Sequence, residues 1–246
     1  MKKIVFVIIL FLSSFSYSQE MKNYPINYYE EIGEYDISKL FISDSIIIEH
    51  EGGVKQNKPQ PLGFIGEEYQ RFYIQFLSIA KQIKYKHKYF VRGKTRVKDN
   101  ICDFEGEINI EECKTGNMIW ILDSIDKFDT GYMKGSYQFM ENKECHHSGI
   151  LEGEFLIKFY FDKKGRMQYD GLRIYADDFS NNQFWGYWTS YDKKINLECT
   201  WGDFRIPNSK GFDIGVGEFS PNPKYIKNGW ENYNENESEW WIDNKR

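Results

Sequence analysis

The amino-acid sequence predicts an all-β protein, an antiparallel meander of about 8–10 strands that is most simply closed as a barrel. From about Tyr69 onward, apolar residues recur at every second position, which is typical of strands with one buried face. Phe, Tyr and Trp make up 18% of the chain, and aromatic residues favour strands. Short turns join most neighbouring strands, and such connections link only antiparallel strands.

The chain begins with the features of a secretory signal peptide of bacterial type. Two lysines precede an apolar run at 4–12, and Ser16 and Ser18 occupy the positions that signal peptidase favours. We expect cleavage before Gln19, which makes residues 1–18 the signal peptide and the mature protein periplasmic or extracellular. The apolar run is shorter than the ~20 residues that span a bilayer, and no later segment is long enough, so no membrane span is predicted.

The charge of the mature chain argues against a nucleic-acid partner. Loss of residues 1–18 removes two lysines and no acidic residue, which leaves 30 basic and 37 acidic side chains and a net charge of −7. Acidic residues are interleaved with basic ones, whereas binding a phosphate backbone depends on clustered Lys and Arg. The sequence also contains no phosphate-binding loop, zinc-protease motif or nucleophile elbow, so no cofactor is predicted, and the oligomeric state stays open.

Three segments follow the signal peptide. Residues 19–61 are mixed in character and predict a lead-in segment that packs on the main domain. Residues 62–204 carry the alternating pattern and predict the barrel domain. Residues 205–246 combine Gly, Pro and aromatic residues with an acidic tail, and we expect them to cover one end of the barrel.

Alternating apolar residues define the strands of the main domain in order. The apolar faces are Phe72, Ile74, Phe76; Tyr89, Val91, Val97; Cys102, Phe104, Ile108, Ile110; Met133, Tyr137, Phe139; Leu151, Phe155, Ile157, Phe159, Phe161; Phe184, Trp188; and Ile195, Leu197, Cys199, Trp201. Turn signals at 98–100, 162–165 and 192–194 close hairpins, the second into a strand at 167–175. A polar loop is expected at 126–130, after an apolar run at 118–122.

The edges of the sheet favour a barrel. An open sheet of this many strands would leave two unpaired edges, and closure removes them. Glycines such as Gly93 and Gly106 recur about once per strand, where barrel bends need them. A β-sandwich stays the alternative, although it usually needs longer connections. The strand count is similar to that of lipocalin- and avidin-like barrels, and this architectural analogy implies no function.

The chain has four cysteines, and export permits disulfides. Strand parity points Cys102 and Cys199 inward, whereas Cys113 and Cys145 fall near strand ends or in loops. Parity therefore suggests Cys113 with Cys145, or Cys102 with Cys199, and buried free thiols are an equal alternative. The spacing fits no zinc pattern, so no metal site is predicted.

The leading functional hypothesis is an exported, non-catalytic protein that binds a small apolar or sugar-like ligand at the barrel mouth, beneath the covering segment. The predicted ligand-binding residues are Trp185, Trp188, Trp201, Phe212 and Phe219. A structural or protein-interaction module of the cell envelope is an alternative, with tryptophans near the C-terminus as anchors.

An extracytoplasmic hydrolase is the remaining alternative. Its candidate catalytic carboxylates are Asp203, Asp213 and Glu218, because paired carboxylates beside aromatic platforms are the ingredients of glycoside hydrolysis. Asp203 is explained equally well as a turn former, so the leading interpretation assigns no catalytic residue.

Overall fold

The structure is a computed structural model, and it describes residues 24–48, 53–120, 127–235 and 239–242. The predicted signal peptide at 1–18 lies outside the described residues.

The described residues form twelve strands, two short α-helices and one 3-10 helix. The strands are β1 (Ile26–Asn27), β2 (Ser45–Ile48), β3 (Val54–Asn57), β4 (Leu62–Ile65), β5 (Gln70–Lys81), β6 (Lys88–Val97), β7 (Asn100–Trp120), β8 (Lys127–Glu141), β9 (Gly149–Phe161), β10 (Met167–Tyr169), β11 (Asn181–Ser190) and β12 (Asn196–Asp203). The helices are α1 (Tyr29–Ile32), α2 (Ser38–Ile42) and the 3-10 helix (Pro223–Asn228).

Eight strands form a continuous ring of antiparallel pairings. From β5 to β9 each strand pairs with the next, β9 pairs with β11, and β11 pairs with β12. β4 completes the ring, because it pairs with β12 on one side and with β5 on the other. β1 and β10 add short pairings to β7 and β9, while β2 and β3 form a separate hairpin. The predicted all-β class and its antiparallel sheet are confirmed.

Alternation along the strands sorts side chains between a buried face and an outer face. On β11, Phe184 and Trp188 are buried, whereas Tyr187 on the opposite face is 54% exposed. The largest side chains of the buried face are aromatic, namely Tyr89, Phe104, Phe139, Phe155, Phe159, Phe184 and Trp201. Burying one such side chain stabilises the fold by roughly 1.5–3 kcal/mol. A Cβ at Gly93 would collide with the ring of Phe104, so glycine at this position leaves room for that ring in the core.

Three strand boundaries differ from the prediction, those of β7, β8 and β10. The expected loop at 126–130 is largely strand, because β8 already begins at Lys127. β7 reaches Trp120 through register shifts after Ile110 and Thr115, which break the sequence alternation without ending the pairing.

The strand expected at 167–175 stops at Tyr169. Beyond it, the Asn181 side chain takes the place of a pairing strand, since its amide accepts a hydrogen bond from Lys158 N and donates one to Lys158 O. A side chain can therefore end a strand early without leaving its neighbour's backbone unsatisfied.

The segment before β4 adds to the core. Helix α2 inserts Phe41 among Phe76, Phe155 and Phe184, with ring centroids 6.2–6.4 Å apart. The segment after β12 forms a second apolar cluster, composed of Phe64, Ile206, Phe212, Phe219 and Trp230. No helix in the described part of the chain is long and apolar enough to cross a membrane.

Candidate functional site

A cavity of about 550 Å³ lies between the lead-in segment and the strands β5, β11 and β12. That volume falls in the range of small-molecule sites, roughly 300–1,000 Å³. Its aromatic walls and polar groups come from segments far apart in sequence. The lining residues are Phe41, Ile42, Ser43, Asp44, Asn57, Lys58, Pro59, Gln60, Pro61, Ile74, Gln75, Phe76, Asn182, Phe184, Trp201, Asp203, Glu239 and Trp241.

A buried ion pair lies in the wall of this cavity. Asp203, the last residue of β12, is fully buried, and its Oδ2 lies 3.0 Å from Lys58 Nζ. The hydroxyl of Tyr169, from β10, donates to the same oxygen at 3.1 Å. Lys58 Nζ also donates to the carbonyl of Phe41 at 3.3 Å. The lead-in segment is thereby tied to the end of the last strand of the ring.

Burial dominates the electrostatics of the pair. Loss of solvent raises the pKa of Asp203, and Lys58, Tyr169 and Asn182 oppose this rise. Burial also raises the pKa of Tyr169 well above its usual range, and the neighbouring Asp203 adds to the effect. Tyr169 therefore acts here as a hydrogen-bond donor.

Two buried oxygens of the cavity residues have no hydrogen-bond partner within the described part of the chain, Asp203 Oδ1 and Asn182 Oδ1. Asn182 adopts a left-handed backbone conformation, with φ of 46°, at an irregularity in the pairing of β11 with β12. Its Nδ2 donates to the carbonyl of Leu40 at 3.0 Å. An unsatisfied buried acceptor costs about 1–3 kcal/mol, so both oxygens favour a donor supplied from outside.

The aromatic walls are formed by the ring and by the C-terminal segment. Phe184 and Trp201 stack with ring centroids 4.9 Å apart. Trp241 reaches the cavity because its neighbour Trp240 is held on the outer face of the sheet, edge-on to Tyr73 and within 5.2 Å of the Arg96 guanidinium. The wall thus combines the Phe184–Trp201 stack with Trp241 from the C-terminal segment.

The structure brings one of the five predicted ligand-binding residues, Trp201, to the cavity. Phe212 and Phe219 lie in the second apolar cluster. Trp185 lies on the outer face, where its Nε1 donates to Glu154 at 3.1 Å. Parity places Trp185 on the face opposite Phe184 and Trp188, but it could not tell Trp188 from Trp201, because it reports a face of the sheet and not a height along the strand.

Trp188 belongs to a different buried group, around Glu141. Its Nε1 donates to Glu141 Oε2 at 2.9 Å, and the backbone N–H of Gly149 donates to the same oxygen at 2.9 Å. The hydroxyl of Thr95 donates to the other oxygen. Burial raises the pKa of Glu141, and these three donors oppose the rise.

The three candidate catalytic carboxylates lie in different environments. Asp203 lines the cavity. Asp213 accepts from Arg205 at 2.7 Å and from the backbone N–H groups of Gly215 and Ser220. Glu218 is exposed on the same loop. Asp213 therefore shapes a loop, and neither it nor Glu218 lines the cavity.

The structure contains a disulfide that matches neither suggested pair. Cys102 is joined to Cys145, with Cα atoms 5.8 Å apart, while Cys113 and Cys199 are buried free thiols. The turn after β8 folds back over the start of β7, where Asn142 N donates to Asp103 O at 2.8 Å. Cys113 lies eleven residues farther along β7, roughly 36 Å at about 3.3 Å per residue, and so cannot reach Cys145.

The free thiols have the character of core residues. Burial raises the pKa of Cys113 to about 12 and that of Cys199 well above its usual range. Among the described residues, no group of three or more His, Cys, Asp or Glu side chains could hold a metal ion.

Sequence reasoning missed Lys58, Tyr169 and Asn182. Lys58 lies in a loop that contains prolines, and its partner Asp203 follows 145 residues later. A pairing over that distance leaves no local periodicity. The one usable signal was Asp203 itself, an acidic residue on the apolar face of a predicted strand, where Cys199 and Trp201 precede it at two-residue spacing.

Comparison of the chain with protein-family models, with curated proteins and with solved structures found no match. The case for a function therefore depends on the geometry of the cavity.

Proposed function

We propose that the strand ring is a closed barrel and that the protein is a non-catalytic binding protein, which holds a small sugar-like ligand in the cavity beside the lead-in segment. Barrels of eight strands have interiors that side chains fill or that admit one small ligand. The aromatic core supports a filled interior, so we place the ligand in the cavity beside the lead-in segment.

The observation that carries this proposal is the buried Lys58–Asp203 pair in the wall of an aromatic-lined cavity. Ligand sites combine mostly apolar walls with a few fixed polar groups, and perturbed carboxylates mark such sites. A sugar ring presents C–H groups on its face and hydroxyl groups at its edge. Trp241, which is half-buried in the cavity wall, suits the face, and the side-chain amides of Asn57 and Gln75, which also line the cavity, suit the hydroxyl groups.

The environment of Asp203 favours binding over catalysis. Its Oδ2 is held by Lys58 and Tyr169, and its side chain has no contact with solvent. A group that exchanges protons with a substrate needs direct access or one water. The pair instead supports a role in fixing the cavity wall and orienting a ligand.

The binding proposal is tested by titrating the purified protein with a panel of monosaccharides while tryptophan fluorescence is recorded. We expect a saturable change that Trp241→Ala removes and Trp185→Ala preserves. The second variant is the matched control, because Trp185 lies on the outer face. Saturable binding that is lost in Trp185→Ala and kept in Trp241→Ala would assign the ligand elsewhere.

We also propose that the protein is exported and acts in the periplasm or outside the cell. The Cys102–Cys145 disulfide supports this, because disulfides persist in oxidising compartments. N-terminal sequencing of the protein from its native host should begin at Gln19. A protein that retains Met1 and stays in the cytosolic fraction would contradict the proposal.

A further inference from the structure

The charges that line the cavity are unbalanced. Three carboxylates line it, from Asp44, Asp203 and Glu239, against the single ammonium of Lys58. Lys58 is already paired with Asp203 at 3.0 Å. Asp44 and Glu239 are exposed, and neither forms an ion pair with any described residue. Within the described part of the chain, two exposed carboxylates of the cavity therefore have no counter-charge, and clefts of one sign concentrate ligands of the other.

The hydrogen-bonding groups show the same asymmetry. Both cavity residues that keep an unpartnered buried atom, Asp203 and Asn182, present an acceptor. An ammonium group has three donors and no acceptor, so it can donate hydrogen bonds to such oxygens and brings no acceptor of its own that would need a donor. Both oxygens are buried, so a donor reaches them only if the cavity wall rearranges. The exposed carboxylates at the rim are reached first.

The aromatic walls are compatible with a cation. Trp241 lines the cavity and is half-buried, and the face of an indole ring attracts an ammonium group within about 6 Å. Resting on the binding function proposed above, we infer that the ligand is a small amine-bearing polyol, of which an amino sugar is the simplest kind. An anionic sugar would meet two uncompensated carboxylates at the rim.

Calorimetric titration of the purified protein with glucosamine, N-acetylglucosamine and glucuronate tests this inference at about pH 6, where an amine is protonated. We expect glucosamine to bind at least about tenfold tighter than its N-acetyl form, and glucuronate to bind weakest. Equal affinity for glucosamine and N-acetylglucosamine would overturn the amine preference and leave the proposed binding function standing. Absence of binding by all three sugars, and by neutral monosaccharides, would contradict the binding function itself.

The variant Asp44→Asn with Glu239→Gln separates charge from shape. Both residues are exposed and form no ion pair with the residues that the structure describes, so we expect their replacement to leave the fold intact. We expect the preference for glucosamine to disappear while the affinity for N-acetylglucosamine is kept. Glu218→Gln is the matched control, because Glu218 is exposed but does not line the cavity. An unchanged preference in the double variant, or a loss of preference in the control, would overturn the inference.

Discussion

A buried carboxylate needs a counter-charge, and Asp203 has Lys58. Removing one partner of a buried pair leaves an uncompensated charge and costs about 3–5 kcal/mol. We expect Lys58→Met to lower the free energy of unfolding by that amount in urea denaturation. The double variant Lys58→Met with Asp203→Asn should lose at least about 1 kcal/mol less than the sum of the two single variants. Additive losses would show that the two side chains do not interact.

Glu141 gives the fold a specific dependence on pH. Its carboxyl has a pKa raised by burial in the folded state, so the folded protein binds the proton more tightly than the unfolded chain. Stability is then greatest below the ordinary pKa of 4.5 and is lost as pH rises through the raised folded value. The loss is about 1.4 kcal/mol for each pH unit of that window.

Glu141→Gln tests this dependence, because an amide can still accept from Trp188 and donate to Thr95. We expect the variant to gain stability relative to the natural protein as pH rises from about 4 toward 7, in urea unfolding at each pH. Glu152→Gln, at an exposed position on the outer face, is the control and should show no such trend. A difference that is constant with pH would refute the assignment.

At the residue scale, the sequence predicted faces better than it predicted sites. Trp201 and Asp203 could be placed on the inner face by two-residue spacing, and both line the cavity. Lys58 could not be found, because its role depends on a partner, Asp203, that lies 145 residues later in the sequence. Trp188 is, like Trp201, a tryptophan on the inward-facing side of a strand. It lies at another height along the ring, however, and donates a hydrogen bond to Glu141.

The disulfide links two elements, the turn after β8 and the first residues of β7. It spans a sequence separation of 43 residues, for which the chain-entropy estimate is about 4 kcal/mol of stabilisation through the unfolded state. We expect Cys102→Ser with Cys145→Ser to lose about this much in urea unfolding. Cys113→Ala, at a buried free thiol, is the comparison and should lose less.

Alkylation followed by mass spectrometry checks the pairing directly. Without reductant, the denatured protein should label only at Cys113 and Cys199, because the other two cysteines are bonded. Labelling of Cys102 would contradict the pairing.

Arg205 holds the loop after β12 in one conformation. Its guanidinium donates to the carbonyl groups of Gly215, Val216 and Gly217 and pairs with Asp213 and Asp178. A lysine side chain ends in a single ammonium group, which cannot make the several coplanar hydrogen bonds that the guanidinium makes. We expect Arg205→Lys to raise hydrogen exchange at 175–180 and 213–218 while the ring strands keep their protection. Unchanged exchange in both loops would show that the contacts are dispensable.

At the scale of elements, the strands with clean alternation were predicted and those with bulges were not. β6 pairs with β7 in continuous register, and both were visible from apolar residues at every second position. The second half of β7 was invisible because its register shifts move apolar residues off the expected parity. β10 was predicted too long because a side chain, that of Asn181, replaces the strand.

The whole molecule has one narrow junction, at β4. This strand has four residues, whereas β7 and β8 have 21 and 15, yet among the described strands it alone connects β5 with β12. We expect amides of β4 to exchange with solvent through openings of lower free energy than those of β8 in native-state hydrogen exchange. Equal protection would mean that the ring opens only by global unfolding. The sequence indicated the need for closure, since open edges are unfavourable, but the identity of the closing strand depended on contacts across 140 residues.

The pairing of β4 with β12 also sets when the fold can be completed. Leu62 is paired with Gly202, so the ring cannot close until the chain is free to fold as far as β12. Until then β4 offers one unpaired edge with Phe64 and Ile65 exposed to other chains. Long-range closures of this kind are slow, because the chain loses the conformational entropy of a long loop before it gains the stabilising contacts. The folding chain is consequently most prone to aggregate just before β4 pairs with β12. A chaperone would have its greatest effect at that stage.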